Sequence, residues 1–286
     1  SDSARKKWWL GGLTLLLLAD LWIFGFKLVG VGSTAVDPLW SDAKQIIGET
    51  ELRVLPWGIS IFEQNGAAQV GLGSVFGYNA LEVGANTAFA ASVPDPRSTA
   101  YDILGAGYVV AANPLQDVEE GERPLTLLGN TDHVWVYQRG RTLPLARLVT
   151  QAEIIPDAAE ATARVHQPDF DPATTAILAA EPDCALAGGE AGTAVVTEKS
   201  NGFWQIETNS ATPALLVLSE TAYPGWRVFV DGVEQAWDVA YSAVRATCVP
   251  AGAHIIEWRY QPRSYAIGGI LSLLGLVLVG TAVIPR

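Results

Sequence analysis

The sequence is short of several things. It has no methionine, only two cysteines, three histidines and no basic block, and charged residues make up 17% of its 286 positions. With 18 Lys and Arg against 30 Asp and Glu, the net charge is -12. An acidic chain without a basic patch excludes nucleic acid as a partner class. Low charge beside a hydrophobic content of 49% excludes a disordered chain. Absent methionine and a start at Ser1 leave two readings: a removed initiator, or a segment of something longer.

What is present is apolar and unevenly spread, with a mean hydropathy of +0.23. Trp8 to Phe26 is a 19-residue run interrupted by Asp20 and a few small residues. At about 1.5 Å per residue it spans about 28 Å, close to the hydrocarbon thickness of a bilayer. Tyr265 to Ile284 is a second run, of 20 residues without a charge. The expectation is two transmembrane helices; a cleaved signal peptide is disfavoured for the first because its apolar run is long. Arg5, Lys6 and Lys7 precede the first run and Lys27 follows it, which places both termini in the cytoplasm and the middle outside. Arg259 and Arg263 pull the other way. Trp8, Trp9, Trp22, Tyr260 and Tyr265 fall where aromatic belts are expected.

Between the runs, Lys27 to Ser264 carries 14 basic and 28 acidic side chains. Its first part alternates strand-like and helical stretches: strands at Leu52–Leu55, Ile59–Phe62, Tyr108–Ala112, Val134–Gln138 and Ala146–Ile154, and helices at Ser98–Leu104 and at Asp157–Val165, the latter capped by Asp157. From Cys184 onward short strands recur with turn signals such as Asp231-Gly232 and Pro250-Ala251-Gly252, the pattern of a β-sandwich. The expected fold is therefore an α+β membrane protein, with two transmembrane helices flanking an extracytoplasmic α/β subdomain followed by an antiparallel β-sandwich. Its segments are a cytoplasmic N-terminus (1–7), a transmembrane helix (8–26), the α/β subdomain (27–165), a Pro- and Asp-rich linker (166–183), the sandwich (184–262), and a transmembrane helix with the C-terminus (263–286).

Several strings resemble one family. Ser219-Glu220-Thr221-Ala222-Tyr223-Pro224-Gly225-Trp226, then Val230-Asp231-Gly232, Arg245-Ala246 and Val249-Pro250-Ala251-Gly252-Ala253-His254 look like the C-terminal sandwich of YfhO-type bacterial membrane proteins. Ile256-Glu257-Trp258-Arg259-Tyr260-Gln261-Pro262 continues the resemblance, and Gly77-Tyr78-Asn79-Ala80-Leu81, Leu104 to Val110 and Leu143 to Ala146 extend it upstream in the same order. The resemblance implies placement in a bacterial cytoplasmic membrane and kinship with GT-C glycosyltransferases, which move sugars from lipid carriers. The catalytic acid of such enzymes is expected between earlier spans, so no residue here takes that role.

Chemistry-bearing clusters are few. Gly71-Leu72-Gly73-Ser74-Val75-Phe76-Gly77 lacks the spacing of a dinucleotide loop and the lysine of a P-loop, so turn packing is expected. His166, Asp169 and Asp171 have metal-ligand side chains but fit an Asp-Pro turn; no metal and no cofactor are expected. Cys184 and Cys248 form one disulfide or remain two buried thiols. Trp204, Tyr223, Trp226, Trp237, Tyr241 and Trp258 supply either a core or a platform for a glycan, with Trp237 and Tyr241, beside the Asp231-Gly232 hairpin, the most exposed of them and Tyr223 and Trp226 the next ligand-binding candidates. Gly268 and Ser272 form a small-residue pair suited to close helix packing, and Asp20 in the first run needs a partner or the interface. The functional expectation is a membrane-anchored accessory or structural subunit of a larger membrane complex, without catalysis of its own. The alternative is the C-terminal portion, or a partner, of a YfhO-like glycosyltransferase handling lipid-linked sugar. Expected partners are the bilayer, other membrane subunits and a lipid-linked sugar or glycan.

Overall fold

The computed structural model describes residues 2–28, 36–60, 63–77, 83–118, 120, 121 and 123–283. It has two units, Ser1–Val36 and Asp37–Arg286. The first holds helix α1 (Asp2–Leu28). In the second, α2 (Pro38–Ile47), β1 (Arg53–Trp57), α3 (Gly66–Gln69), α4 (Gly84–Ala90), α5 (Thr99–Ile103), β2 (Ala106–Ala111), β3 (Leu125–Asn130) and β4 (Trp135–Arg139) come first. They are followed by β5 (Ala146–Val149), β6 (Gln151–Ile154), α6 (Ala158–Val165), β7 (Thr175–Leu178), β8 (Thr193–Ser200) and β9 (Phe203–Ser210). The chain continues through β10 (Ala214–Thr221), β11 (Trp226–Val230), β12 (Val233–Gln235), β13 (Asp238–Ala240), β14 (Val244–Val249), β15 (Gly252–Tyr260) and α7 (Arg263–Val283).

The membrane architecture expected from sequence is corrected here. The two apolar runs fall in α1 and α7, and their described apolar side chains, such as Leu15, Trp22, Leu271 and Leu276, are exposed. Yet among the described residues no helix is long and apolar enough to cross a membrane. Hydropathy along a sequence measures what a run could bury, whereas crossing needs one helix that is apolar over about 20 residues. The two-pass placement in the bacterial cytoplasmic membrane, with cytoplasmic termini, is withdrawn with the spans. The flanking charges Arg5, Lys6, Lys7 and Lys27 have no described side-chain positions, and Ile284, Arg286 and residues 78–82 lie outside the described residues.

The second unit is built from three sheets. The first has the order β1-β2-β4-β3, with β1 and β2 parallel and the other pairs antiparallel. Period-two alternation gives each of its faces a separate core. Val54, Val110 and Val136 pack with Trp40 and Ala43 of α2. That helix starts where Asp37 accepts the Leu39 N–H at 2.9 Å and Pro38 supplies the first turn. Leu55, Val109 and Tyr137 face the opposite way, against α4, α5 and the second sheet.

The second sheet has the order β5-β10-β14-β13-β7-β6. Only Thr150 separates β5 from β6, yet these strands stand at the two ends of that order. The sheet must therefore curl until its ends meet in one strand bent at Thr150, whose hydroxyl donates to the Gly189 carbonyl at 2.9 Å. Strand β7 belongs to this sheet through β6 and β13, so residues 166–183 are not a linker, and strands from both expected subdomains share one sheet. The third sheet, β12-β11-β15-β9-β8, is antiparallel throughout.

Strand β10 holds the layers together. All residues from Ala214 to Ser219 are buried. Leu215 and Val217 enter the core shared with the first sheet, while Ala214, Leu216 and Leu218 pack on Trp204, Ile206, Val228, Ile256 and Trp258 of the third. Each such Leu, Ile or Val side chain contributes roughly 1.5–3 kcal/mol on burial. Polar groups cross the same junction: the Ser219 hydroxyl donates to the Ile103 carbonyl at 2.6 Å and accepts from Arg147 at 3.1 Å. Nearby, the wholly buried Asp102 of α5 accepts from Arg139, with Arg123 at 3.2 Å and Arg141 at 4.0 Å. Burial pushes the Asp102 carboxyl up to about 6, while Arg139, Arg123, Arg141 and Arg147 pull it down.

Candidate functional site

A cavity of about 690 Å³ lies where β11 and β15 meet the start of α7. Its aromatic wall is Tyr223, Trp226 and Tyr260. Trp226 and Tyr260 are directly paired across β11 and β15, which puts their side chains on one face. Their ring centroids are 5.2 Å apart, tilted by 51°. Tyr223 is 47% exposed and Tyr260 39%. Gly225 makes the bend between Tyr223 and Trp226: its φ is +106°, and a Cβ there would stand 3.0 Å from both Pro262 and the Tyr260 ring. Only glycine combines that backbone with that clearance.

Behind the aromatic wall sits a buried cation. The Arg245 guanidinium carbon is 3.7 Å from the Trp226 ring centroid and 5.0 Å from that of Trp258. Burial pulls its pKa down to about 10, with Glu220 opposing and Arg53 adding to the shift. The same cavity is also lined by a polar frame. Arg227 is gripped by both carboxylate oxygens of Glu234, one at 2.6 Å, and donates to the Gln261 side-chain oxygen at 2.9 Å. The same bonds hold the Glu234 carboxyl below its usual range. Arg263 and Ser264 at the start of α7 complete the rim. The cleft thus presents flat apolar rings together with planar, pre-oriented hydrogen-bonding groups. Its one carboxylate, Glu234, is tied to Arg227, so the paired free carboxylates of a sugar-cleaving site are not assembled here.

No protein-family model matches the chain. Comparison with curated proteins and with solved structures finds no match to it either. What can be said of the site rests on its own geometry.

The residues singled out in the sequence divide sharply. Tyr223 and Trp226 line the cleft. Trp237 is half-buried beside it, its indole N–H donating to the Trp226 carbonyl at 3.1 Å and its ring edge-on to Trp258. Tyr241 is a core residue and not a platform, which corrects the expectation that it is exposed. Its exposure is 0%, its hydroxyl donates to the Thr175 carbonyl at 2.8 Å, and Phe170 packs against its ring. The φ of +53° at Tyr241 turns the chain inward just after β13, a bend that strand alternation does not register. Cys184 and Cys248 are joined by a disulfide.

Of the remaining positions, Gly268 has nothing within 4 Å of where a Cβ would stand, and Ser272 and Asp20 are exposed. Gly268 thus packs against no helix among the described residues, and the membrane setting expected of Asp20 is withdrawn with the spans. Asp169 pairs with Arg164, Asp171 with Arg141, and His166 Nε2 lies 2.8 Å from the Ser92 hydroxyl. Among the described residues no three such side chains converge as metal ligands. Gly73 is clamped to β1, its carbonyl accepting from Val54 at 2.8 Å. Sequence reasoning missed Arg227, Glu234 and Gln261 as site residues and placed Tyr260 in an aromatic belt. The usable signal was register: with Trp226 opposite Tyr260 and Arg227 opposite Arg259, Arg227 and Gln261, the residue after β15, become diagonal neighbours.

Proposed function

We propose that this chain is a non-catalytic accessory module that binds a carbohydrate in the Tyr223–Trp226–Tyr260 cleft. One observation carries the reading: partly exposed aromatic rings share one cavity with an Arg227–Glu234–Gln261 frame whose hydrogen-bonding groups are already fixed. A sugar ring has an apolar C–H face and an edge of hydroxyls, and it fits aromatic side chains on one side and planar donors and acceptors on the other. Fixing the frame in advance reduces the ordering cost of binding. The resemblance to YfhO-type proteins supports the same ligand class and adds the glycan portion of a lipid-linked sugar to the ligands worth testing.

The test is a fluorescence and calorimetric titration of the whole protein with a panel of soluble oligosaccharides. Binding is expected to perturb tryptophan emission through Trp226. Tyr223→Ala, at an exposed position, is expected to weaken binding about tenfold, since one stacked aromatic contributes about 1 kcal/mol or somewhat more. A panel without a binder, or equal affinity in the Tyr223→Ala protein, refutes the proposal.

A further inference from the structure

A second cavity, of about 290 Å³, opens where the first sheet, the end of β10 and the end of β8 converge. Arg53, Ser74, Asn86, Lys199 and Glu220 contribute the polar groups of its wall. A register shift in β10 between Leu218 and Thr221 turns Glu220 toward this space and away from the regular ladder. The Gly71–Gly77 run that drew notice in the sequence supplies the opposite wall through Gly73 and Ser74.

The charges do not balance. Arg53 and Lys199 face one carboxylate, Glu220, and Arg245 stands behind it with Nη2 at 3.6 Å. Glu220 is shared between Arg245 and a direct ion pair to Arg53. Glu51 also acts on Lys199 electrostatically but does not line the cavity. In a chain of net charge -12, three cations around one carboxylate form a local positive focus. Arg53 is held in place by the carbonyls of Leu104, at 2.8 Å, and Ser219. The Lys199 ammonium makes no hydrogen bond or ion pair with the described residues and lies 4.4 Å over the Trp204 ring.

From this arrangement we propose that the cavity binds a small oxyanion, a carboxylate or a phosphate ester, with its anionic group against Lys199 and Arg53. The volume matches the room of about ten water molecules, which suits a ligand of roughly that many heavy atoms. The site is separate from the aromatic cleft and does not depend on the carbohydrate reading.

Titration calorimetry at constant ionic strength tests it, with glycerol 3-phosphate as the phosphate arm, glycerate as the carboxylate arm and uncharged glycerol as control. At least one anion is expected to bind, glycerol is not, and Lys199→Gln should weaken the bound anion at least tenfold. Tyr223→Ala, at an exposed position of the aromatic cleft, should leave all of these affinities as they are. Failure of both anions to bind overturns the proposal. So does equal binding by the Lys199→Gln protein, whose substitution falls at an exposed position.

Discussion

Removing the disulfide is the sharpest perturbation of the second unit. Cys184 and Cys248 are 64 residues apart in sequence, and the loop they close contains β8 to β13 and nearly all of β14. Cross-linking a loop of that size removes about 14 cal/mol/K from the unfolded chain, which corresponds to about 4 kcal/mol near room temperature. For a unit of this size each kcal/mol shifts the melting temperature by roughly 2–4 °C, so the expected loss is roughly 8–16 °C. The native state should change little. Cys248 stays in its ladder opposite Leu215, and the segment before β8 keeps the Gly188 N–H bond to the Thr150 carbonyl at 3.1 Å. The assay is thermal unfolding by circular dichroism on three samples: oxidised protein, protein in excess reductant, and Cys184→Ala/Cys248→Ala. The last two should melt together, well below the first, with unchanged spectra at low temperature. Oxidised and reduced protein melting within about 2 °C of one another would refute the reasoning, because a shift that small equals only about 1 kcal/mol.

Two further outcomes follow from buried features. Gly225→Ala forces a Cβ onto Pro262 and Tyr260 at a φ of +106°, so stability should fall by about 1–3 kcal/mol and carbohydrate binding should weaken with it; melting and titration of the variant check both, and a protein unchanged in either measure contradicts the account of the cleft. Asp102 titrates near 6 in the fold against 3.8 when unfolded, so the folded state holds that proton more tightly. Its contribution is fully present below pH 3.8 and is lost as pH rises through about 6, a change on the order of 3 kcal/mol. Asp102→Asn removes that slope, and denaturant melts between pH 4 and 7 that retain it would show that another group is responsible.

The sequence revealed most where local patterning and tertiary packing agree. Strands β8, β9, β10, β11, β14 and β15 were legible because apolar residues recur between turn signals; on β15, for example, Ile256 and Trp258 alternate onto one buried face. The hairpin at Asp231-Gly232 has positive φ at both residues, and Asp157 caps α6 through the N–H groups of Ala159 and Glu160. Strand β7 was hidden because its four residues sit among prolines and aspartates, and its pairing comes from β6 and β13, which are distant in the chain. Strand β3 leaves Leu127 and Leu128 exposed at an edge, so alternation gives no sign of it. The stretch from Ala146 to Ile154 read as one strand; it bends at Thr150 because its halves answer to different neighbours. The spans were inferred from hydropathy alone, which records composition and not what a run packs against.

Strand β10 has a consequence for how the unit tolerates change. Its neighbouring residues Leu216 and Val217 answer to different interiors, so a substitution at one is felt by the third sheet and at the other by the first. Neither interior can be loosened alone while the strand between them keeps its pairing on both edges, with β5 and with β14. The unit therefore gains and loses its order as a whole, and the aromatic cleft draws its rigidity from packing far from its own walls.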